Sequence, residues 1–218
     1  RGRLAGDILR GLTPEIGEDE LLVGRYCHRA LTEEEAAELA DWNRCGAPAA
    51  LRDYGQRAHM AIDYPRLLQL GLAGLRAQIA VYRGRLDLAD PDDLPRDDFY
   101  RACLEALDGV TALARKYAEL AEAQAAAAPP ARAAELREIA RCCRRVPEHP
   151  AETFYEAVQA VHFITFCQCA GNRMLLFQLG RPDRYLLPYY RRDLAAGRLT
   201  PEAAQELLDC LGLLLNDY

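Results

Sequence analysis

The segment from Phe154 to Cys169 carries apolar side chains on nearly every side of a helix, and Val158 and Ile164 fall on different faces. A helix that is hydrophobic all round belongs in a protein interior. Pro150 just before its start and Glu152 in its first turn suit the positive end of a helix. The sequence therefore predicts a central helix that other elements cover.

Capping residues and helical spacing predict further helices along the chain. Thr32 and Glu35 form a capping box, in which the hydroxyl and the carboxylate each accept from a free backbone N–H at the helix start. Thr200 followed by Pro201 is a second start signal. Leucines at helical spacing after Pro65 indicate an amphipathic, buried helix. The predicted helices are Thr32 to about Trp42, Pro65 to Tyr82, Phe99 to about Ala127, Ala131 to Arg145, and Thr200 to Leu215.

Two short apolar runs are strand candidates. They are residues 19–24 and residues 173–180, the second closed by Gly180, although periodicity alone does not separate strand from helix in such short runs. The Asp- and Pro-rich residues 84–98 are predicted to form a surface loop. The fold class expected from these patterns is mainly α with a few β-strands.

Composition excludes several classes of function. The 218 residues carry a net charge of -6 with mixed signs, which does not fit a nucleic-acid-binding surface. No run of 18 apolar residues is present, so no membrane segment is expected. The eight cysteines are irregularly spaced without a Cys-x-x-Cys pair, so we predict no metal site and free thiols in a reducing cytoplasm.

Four segments occur in a characteristic order: Asp19 to Gly24, Ala58 to Tyr64, Ile139 to Ala157, and Leu179 to Tyr185. The last continues into Pro-Tyr-Tyr-Arg-Arg-Asp-Leu and a well-started helix. Together they resemble the front portion of glycyl radical enzymes related to pyruvate formate-lyase, in their dehydratase and lyase branch. The resemblance implies one domain over residues 1–218 that forms part of an α/β barrel wrapped by helices.

The resemblance also implies what chemistry to expect. Family members cleave C–C, C–O or C–N bonds of small organic substrates with a cysteine thiyl and a glycyl radical that a radical SAM activating enzyme installs. This chain lacks the Gly-Cys-x-Glu loop and the terminal Arg-Val-x-Gly-Tyr segment, so the cysteine loop and the glycyl radical domain are absent. We therefore expect a substrate-positioning portion that is inactive alone and binds no cofactor itself.

The expected partners are a small-molecule substrate, the activase of a complete enzyme, and a second copy in a homodimer or other self-association. The expected location is cytoplasmic. A different interpretation is a non-catalytic helical scaffold or binding protein derived from the same family.

By the same resemblance, His59, Asp63, Asn172 and Gln178 are candidate substrate-binding residues. For His59 and Asp63 the alternatives are a loop residue and a cap of the helix before Pro65. The apolar run before Gly180 replaces a polar run of the relatives, which disfavours a small polyol substrate.

Three further residues are expected to fix the loop beside the site. Arg181 and Asp183 are predicted to form a buried ion pair, and Tyr185 belongs to the same loop. His162, on the apolar helix, is predicted to be a core histidine instead of a catalytic one.

Overall fold

The structure, a computed structural model, describes residues 2–25, 30–44, 60–172 and 177–216. These residues are mostly helical, with two short strands. The elements in chain order are α1 (Gly2–Gly11), α2 (Glu33–Arg44), β1 (Met60–Ala61), α3 (Tyr64–Arg83), α4 (Leu94–Ala125), α5 (Pro130–Arg145), α6 (Phe154–Asn172), β2 (Phe177–Gln178), α7 (Pro182–Tyr185), α8 (Leu187–Ala195) and α9 (Pro201–Leu215).

Helix α6 lies at the centre, as its all-round apolar surface predicts. It packs against α1, α3, α5, α8 and α9. Its buried polar residues recur every third position, namely Glu156, Gln159, His162 and Thr165. Most side-chain partners of these residues are backbone groups of neighbouring segments, which is how a polar group is tolerated in a core.

The strand predicted at residues 19–24 is not formed. Leu22 and Val23 are buried, but their segment bonds to side chains of α6 instead of to a neighbouring strand. The Val23 N–H donates to Gln159 Oε1 at 2.9 Å, and Gln159 Nε2 donates to the Val23 carbonyl at 2.8 Å. His162 Nε2 donates to the Gly24 carbonyl at 2.6 Å. The polar side chains of Gln159 and His162 on α6 thus take the place of a neighbouring strand.

His162 is a core residue, as predicted. It is fully buried, and burial lowers its pKa from 6.5 to about 4, against the opposing effect of its bond to Gly24. The imidazole is therefore neutral at physiological pH and serves to hold the extended segment against α6.

Helix α3 is bent at Gly71, which has φ of +62°. The N–H groups of Leu72 and Ala73, freed by the bend, donate to the carbonyls of Pro147 and Glu148 at 2.9 Å each. A Cβ at Gly71 would lie 2.4 Å from the Glu148 carbonyl oxygen, so the close approach requires glycine. Leu67 and Leu68 before the bend and Leu72 directly after it are buried as predicted. Further along the helix, Leu75 and Ile79 are only half-buried.

Helices α1 and α4 approach each other through glycine. A Cβ at Gly6 would lie 2.4 Å from the Glu105 carbonyl oxygen, and one at Gly109 would lie 2.6 Å from the Gly6 Cα. This backbone contact anchors α1 on the helical layer.

The connection predicted over residues 84–98 is shorter in the structure, because α4 begins at Leu94. Pro95 falls in the first turn, where its missing N–H costs no hydrogen bond. Asp97 in the same turn pairs with Arg83 of α3 at 2.8 Å, which ties the two helix ends together. Residues 84–93 remain a surface turn region.

Among the helices that the structure describes, none is long and apolar enough to cross a membrane.

Candidate functional site

Strands β1 and β2 form a parallel pair with Met60 opposite Phe177 and Ala61 opposite Gln178. The pair joins two segments that are far apart in the sequence. Ala61 and Gln178 are exposed, whereas Phe177 is half-buried. Adjacent strand residues in register point the same way, so Ala61 and Gln178 share an open face on the side away from Phe177.

Asp63 and Asn172 line one cleft of about 300 Å³ between α1, α3, α4 and α6. Asp63 caps α3, because its Oδ1 accepts from the Arg66 N–H at 3.1 Å. Asn172 donates from Nδ2 to Gln168 Oε1 at 2.5 Å, and Gln168 lines the same cleft. The structure therefore brings these two predicted residues together, while His59 lies outside the described residues.

The loop after β2 turns at Gly180, which has φ of +68°. Arg181 and Asp183 form the predicted ion pair, with Arg181 Nε at 2.8 Å from Asp183 Oδ1 and Nη2 at 2.6 Å from Oδ2. The prediction that this pair is buried is wrong, since the two side chains are 65% and 59% exposed. The hydrogen bonds from Arg181 lower the pKa of Asp183, so the carboxylate is ionised and the two-point contact shapes the loop.

Tyr185 ties this loop to the segment after β1. Its hydroxyl donates to the Leu179 carbonyl at 2.9 Å, and its ring stacks on Tyr64 with centroids 5.7 Å apart. Tyr64 donates to Thr165 Oγ1 at 2.7 Å, because Thr165 gives its own proton to the Val161 carbonyl. Burial raises the pKa of Tyr64 to about 12 and also raises that of Tyr185, so both remain neutral donors.

A second cleft of about 670 Å³ opens beside the same loop, and we call it the arginine cleft. Ile62, Leu179 and Gly180, which follow the carboxyl ends of the two strands, form one wall. Its polar lining comes from three arginines, three tyrosines and a glutamine: Arg181, Arg184, Arg192, Tyr64, Tyr185, Tyr189 and Gln69. No Asp or Glu of the described residues lines this cleft.

Asp183 lines neither of these clefts. It borders an apolar groove of about 340 Å³ between α7, α8 and α9.

The described cysteines do not form a reactive centre. Cys142, Cys143, Cys167 and Cys169 are buried, and burial raises the pKa of each thiol. A raised pKa keeps a thiol protonated and unreactive. Within the described ranges no group of His, Cys, Asp and Glu residues has an arrangement that could hold a metal ion.

Sequence reasoning missed Tyr64, Arg184 and Arg192 as members of the site. Tyr64 directly follows Asp63, but no sequence pattern indicates that its ring stacks on that of Tyr185. Only the parallel pairing of the strands brings these side chains to one place.

Comparison with known proteins places the chain in a family. The family model described as pyruvate formate lyase-like matches residues 23–218. An isethionate sulfite-lyase of Oleidesulfovibrio alaskensis is 37% identical over 159 residues, which are 72% of this chain and 19% of the relative. The probable dehydratase YbiW of Escherichia coli is 35% identical over 153 residues, which are 69% of this chain and 19% of the relative.

A solved structure concerned with 1,2-propanediol dehydration in Roseburia inulinivorans superposes with a TM-score of 0.86 and 29% sequence identity. The superposition covers 99% of this chain and 32% of that one. The chain thus spans about a fifth of the length of the curated relatives it matches. On these matches the chain belongs to the pyruvate formate lyase-like family, the glycyl radical dehydratases and lyases.

Proposed function

We propose that these residues are the substrate-positioning front portion of a glycyl radical lyase or dehydratase that cleaves a C–C, C–O or C–N bond of a small organic substrate. The name of the sulfite-lyase relative adds C–S cleavage to these reactions. The radical chemistry comes from a glycyl radical and a reactive cysteine elsewhere in the complete enzyme. The residues described above then hold the substrate and shape its surroundings.

The parallel pair β1–β2 is the observation that carries this proposal. One strand lies within one of the four family segments, the other lies directly before a second segment, and the pair presents Gln178 on an open face. Parallel strands are found almost only where both faces of the sheet are covered. Because one face of this pair is open in the described chain, we infer that the remainder of a longer protein covers it and completes an α/β barrel.

Each candidate residue has a role that its place allows. Gln178 has an amide that can both donate to and accept from a substrate on the open face. Asp63 and Asn172 line the adjoining cleft. His59 comes immediately before β1 in the sequence, and we propose it as a proton donor or acceptor for the substrate. Arg181, Asp183 and Tyr185 fix the loop that limits the site.

A complete enzyme also requires a radical SAM activase as a partner. The described free thiols suit a reducing, anaerobic cytoplasm.

The test uses the full-length natural gene product, activated anaerobically with its radical SAM activase. We expect an electron paramagnetic resonance signal of a glycyl radical, together with turnover in a panel that includes isethionate and propane-1,2-diol. Gln178→Ala and Asp63→Asn should retain the radical signal and lower kcat/KM by about tenfold or more, since misplaced substrate loses rate steeply. Asparagine caps helices as well as aspartate does, so Asp63→Asn separates the carboxylate's charge from its capping role.

Gln205→Ala on α9 is the matched control, because Gln205 is an exposed glutamine outside both clefts. It should leave kcat/KM unchanged. A gene product with the mass of the 218 residues and no radical signal would contradict the proposal and favour the scaffold interpretation. Full activity in both site variants would remove Gln178 and Asp63 from the site.

A further inference from the structure

The arginine cleft has an excess of positive charge that the proposed function does not use. Arg181, Arg184 and Arg192 all line it, and the part of the chain that the structure describes contributes no carboxylate to its wall. Like charges in one cleft repel one another, and an anion that enters the cleft relieves this repulsion.

The three guanidinium groups differ in how many partners they have within the protein. Arg181 makes its two-point contact with Asp183. Arg192 donates to the Glu152 carbonyl and lies over the Tyr189 ring at 5.1 Å from its centroid. Arg184 has no side-chain hydrogen bond or salt bridge to any described residue. Its charge adds to the effect of Arg181, the main cause of the lowered pKa of Asp183. Arg184 is therefore the cation with donors to offer a ligand.

The place of the cleft in the fold agrees with ligand binding. Ile62 and Leu179 in its wall directly follow the carboxyl ends of the parallel strands. Ligands of folds with parallel strands bind in crevices outside these ends. The hydroxyls of Tyr64 and Tyr185 are already bonded to Thr165 and to the Leu179 carbonyl, so these tyrosines offer ring surface to the carbon atoms of a ligand.

We propose that the arginine cleft binds the anionic group, a sulfonate or a carboxylate, of a small organic substrate, with Arg184 as its principal donor. This inference deepens the proposed function and rests on it, because it names the substrate class of that site. A planar guanidinium matches both anions with two parallel N–H donors. A neutral polyol can accept a hydrogen bond from a guanidinium but lacks the charge and the two-oxygen match of these anions, so the cleft would favour charged substrates over neutral ones.

The test measures binding by isothermal titration calorimetry to the full-length gene product without its radical. The probes are isethionate, 3-hydroxypropanoate and propane-1,2-diol, which have similar size but differ in charge. We expect both anions to bind more tightly than the diol, and Arg184→Gln to raise their Kd at least tenfold while the Kd of the diol stays within twofold. The affinity of the anions should also fall as salt is added.

Arg191→Gln is the matched control, because Arg191 is an exposed arginine on α8 that does not line the cleft. It should leave all three affinities unchanged. The proposal is overturned if the diol binds as tightly as the anions, if no anion binds, or if Arg184→Gln leaves the anions' Kd within twofold. A radical signal with turnover of the diol alone would refute this inference while the proposed function stands.

Discussion

The hydroxyl of Tyr185 makes one contact that bears on the site. Its bond to the Leu179 carbonyl holds the residue that directly follows Gln178. Tyr185→Phe removes this bond and keeps the ring stacked on Tyr64. We expect a loss of about 1 kcal/mol of stability and a rise in KM for the substrate, because Gln178 becomes less well positioned. The full-length enzyme should keep its glycyl radical signal.

Tyr190→Phe is the control for this change. The Tyr190 ring packs edge-on against Phe154 with centroids 5.7 Å apart, and its hydroxyl makes no hydrogen bond to the described residues. Steady-state kinetics should show no change in this variant. An unchanged KM in Tyr185→Phe as well would mean that the bond only stabilises the loop.

At the scale of the element, the start of helix α6 is stabilised by one buried carboxylate, that of Glu156. Glu156 is fully buried and accepts from the N–H groups of Glu152 and Thr153 at 2.7 and 3.2 Å, and from Arg141 Nη1 at 2.7 Å. Glu156→Ala removes the acceptor of the Glu152 and Thr153 N–H groups at the helix start and one partner of Arg141. We expect a loss of about 2 kcal/mol in the free energy of unfolding, as for the loss of a helix cap, and increased hydrogen exchange in the peptide covering residues 152–172.

Glu138→Ala provides a matched comparison, since Glu138 contacts the same arginine at 2.6 Å but is 47% exposed. An exposed ion pair contributes less than about 1 kcal/mol to the free energy of unfolding, so hydrogen exchange in α6 should hardly change. Equal effects of the two variants would show that the charge of Arg141, and not the capping of α6, sets the stability of this helix.

The predictable elements are those whose signals are local. The capping box is formed as predicted, with Glu35 N–H on Thr32 Oγ1 and Thr32 N–H on Glu35, and Thr200 caps α9 through the Ala203 N–H. Residues 19–24 show the limit, because an apolar run does not reveal whether its backbone meets a strand or the side chains of Gln159 and His162. Likewise Arg181 and Asp183 pair as predicted, but the predicted burial of this pair is wrong, since the sequence identifies a partner but not its exposure.

At the scale of the molecule, the helical layer is well packed around α6, whereas one side remains apolar and open. Leu208 and Leu213 on α9 are 40% and 74% exposed, and Leu187 on α8 is 37% exposed. Leu187 and Leu208 line the apolar groove together with Leu186 and Tyr190, and Leu213 lies further along α9. Large exposed apolar patches mark surfaces that another polypeptide segment covers. We propose that further chain of the same protein covers this side, as a relative about three times as long that superposes on these residues suggests.

This covering gives the last prediction, which concerns Leu213. In the full-length gene product, hydroxyl-radical footprinting should modify Leu213 several-fold less than in the separately expressed 218-residue chain, because the remaining chain shields α9. Leu88, 55% exposed in the turn between α3 and α4, should be modified equally in both. The separate chain should also self-associate on size-exclusion chromatography as its concentration rises, since its apolar side has no other cover. A clean monomer at high concentration, with equal modification of Leu213 in both proteins, would mean that α9 faces solvent in the full-length protein as well.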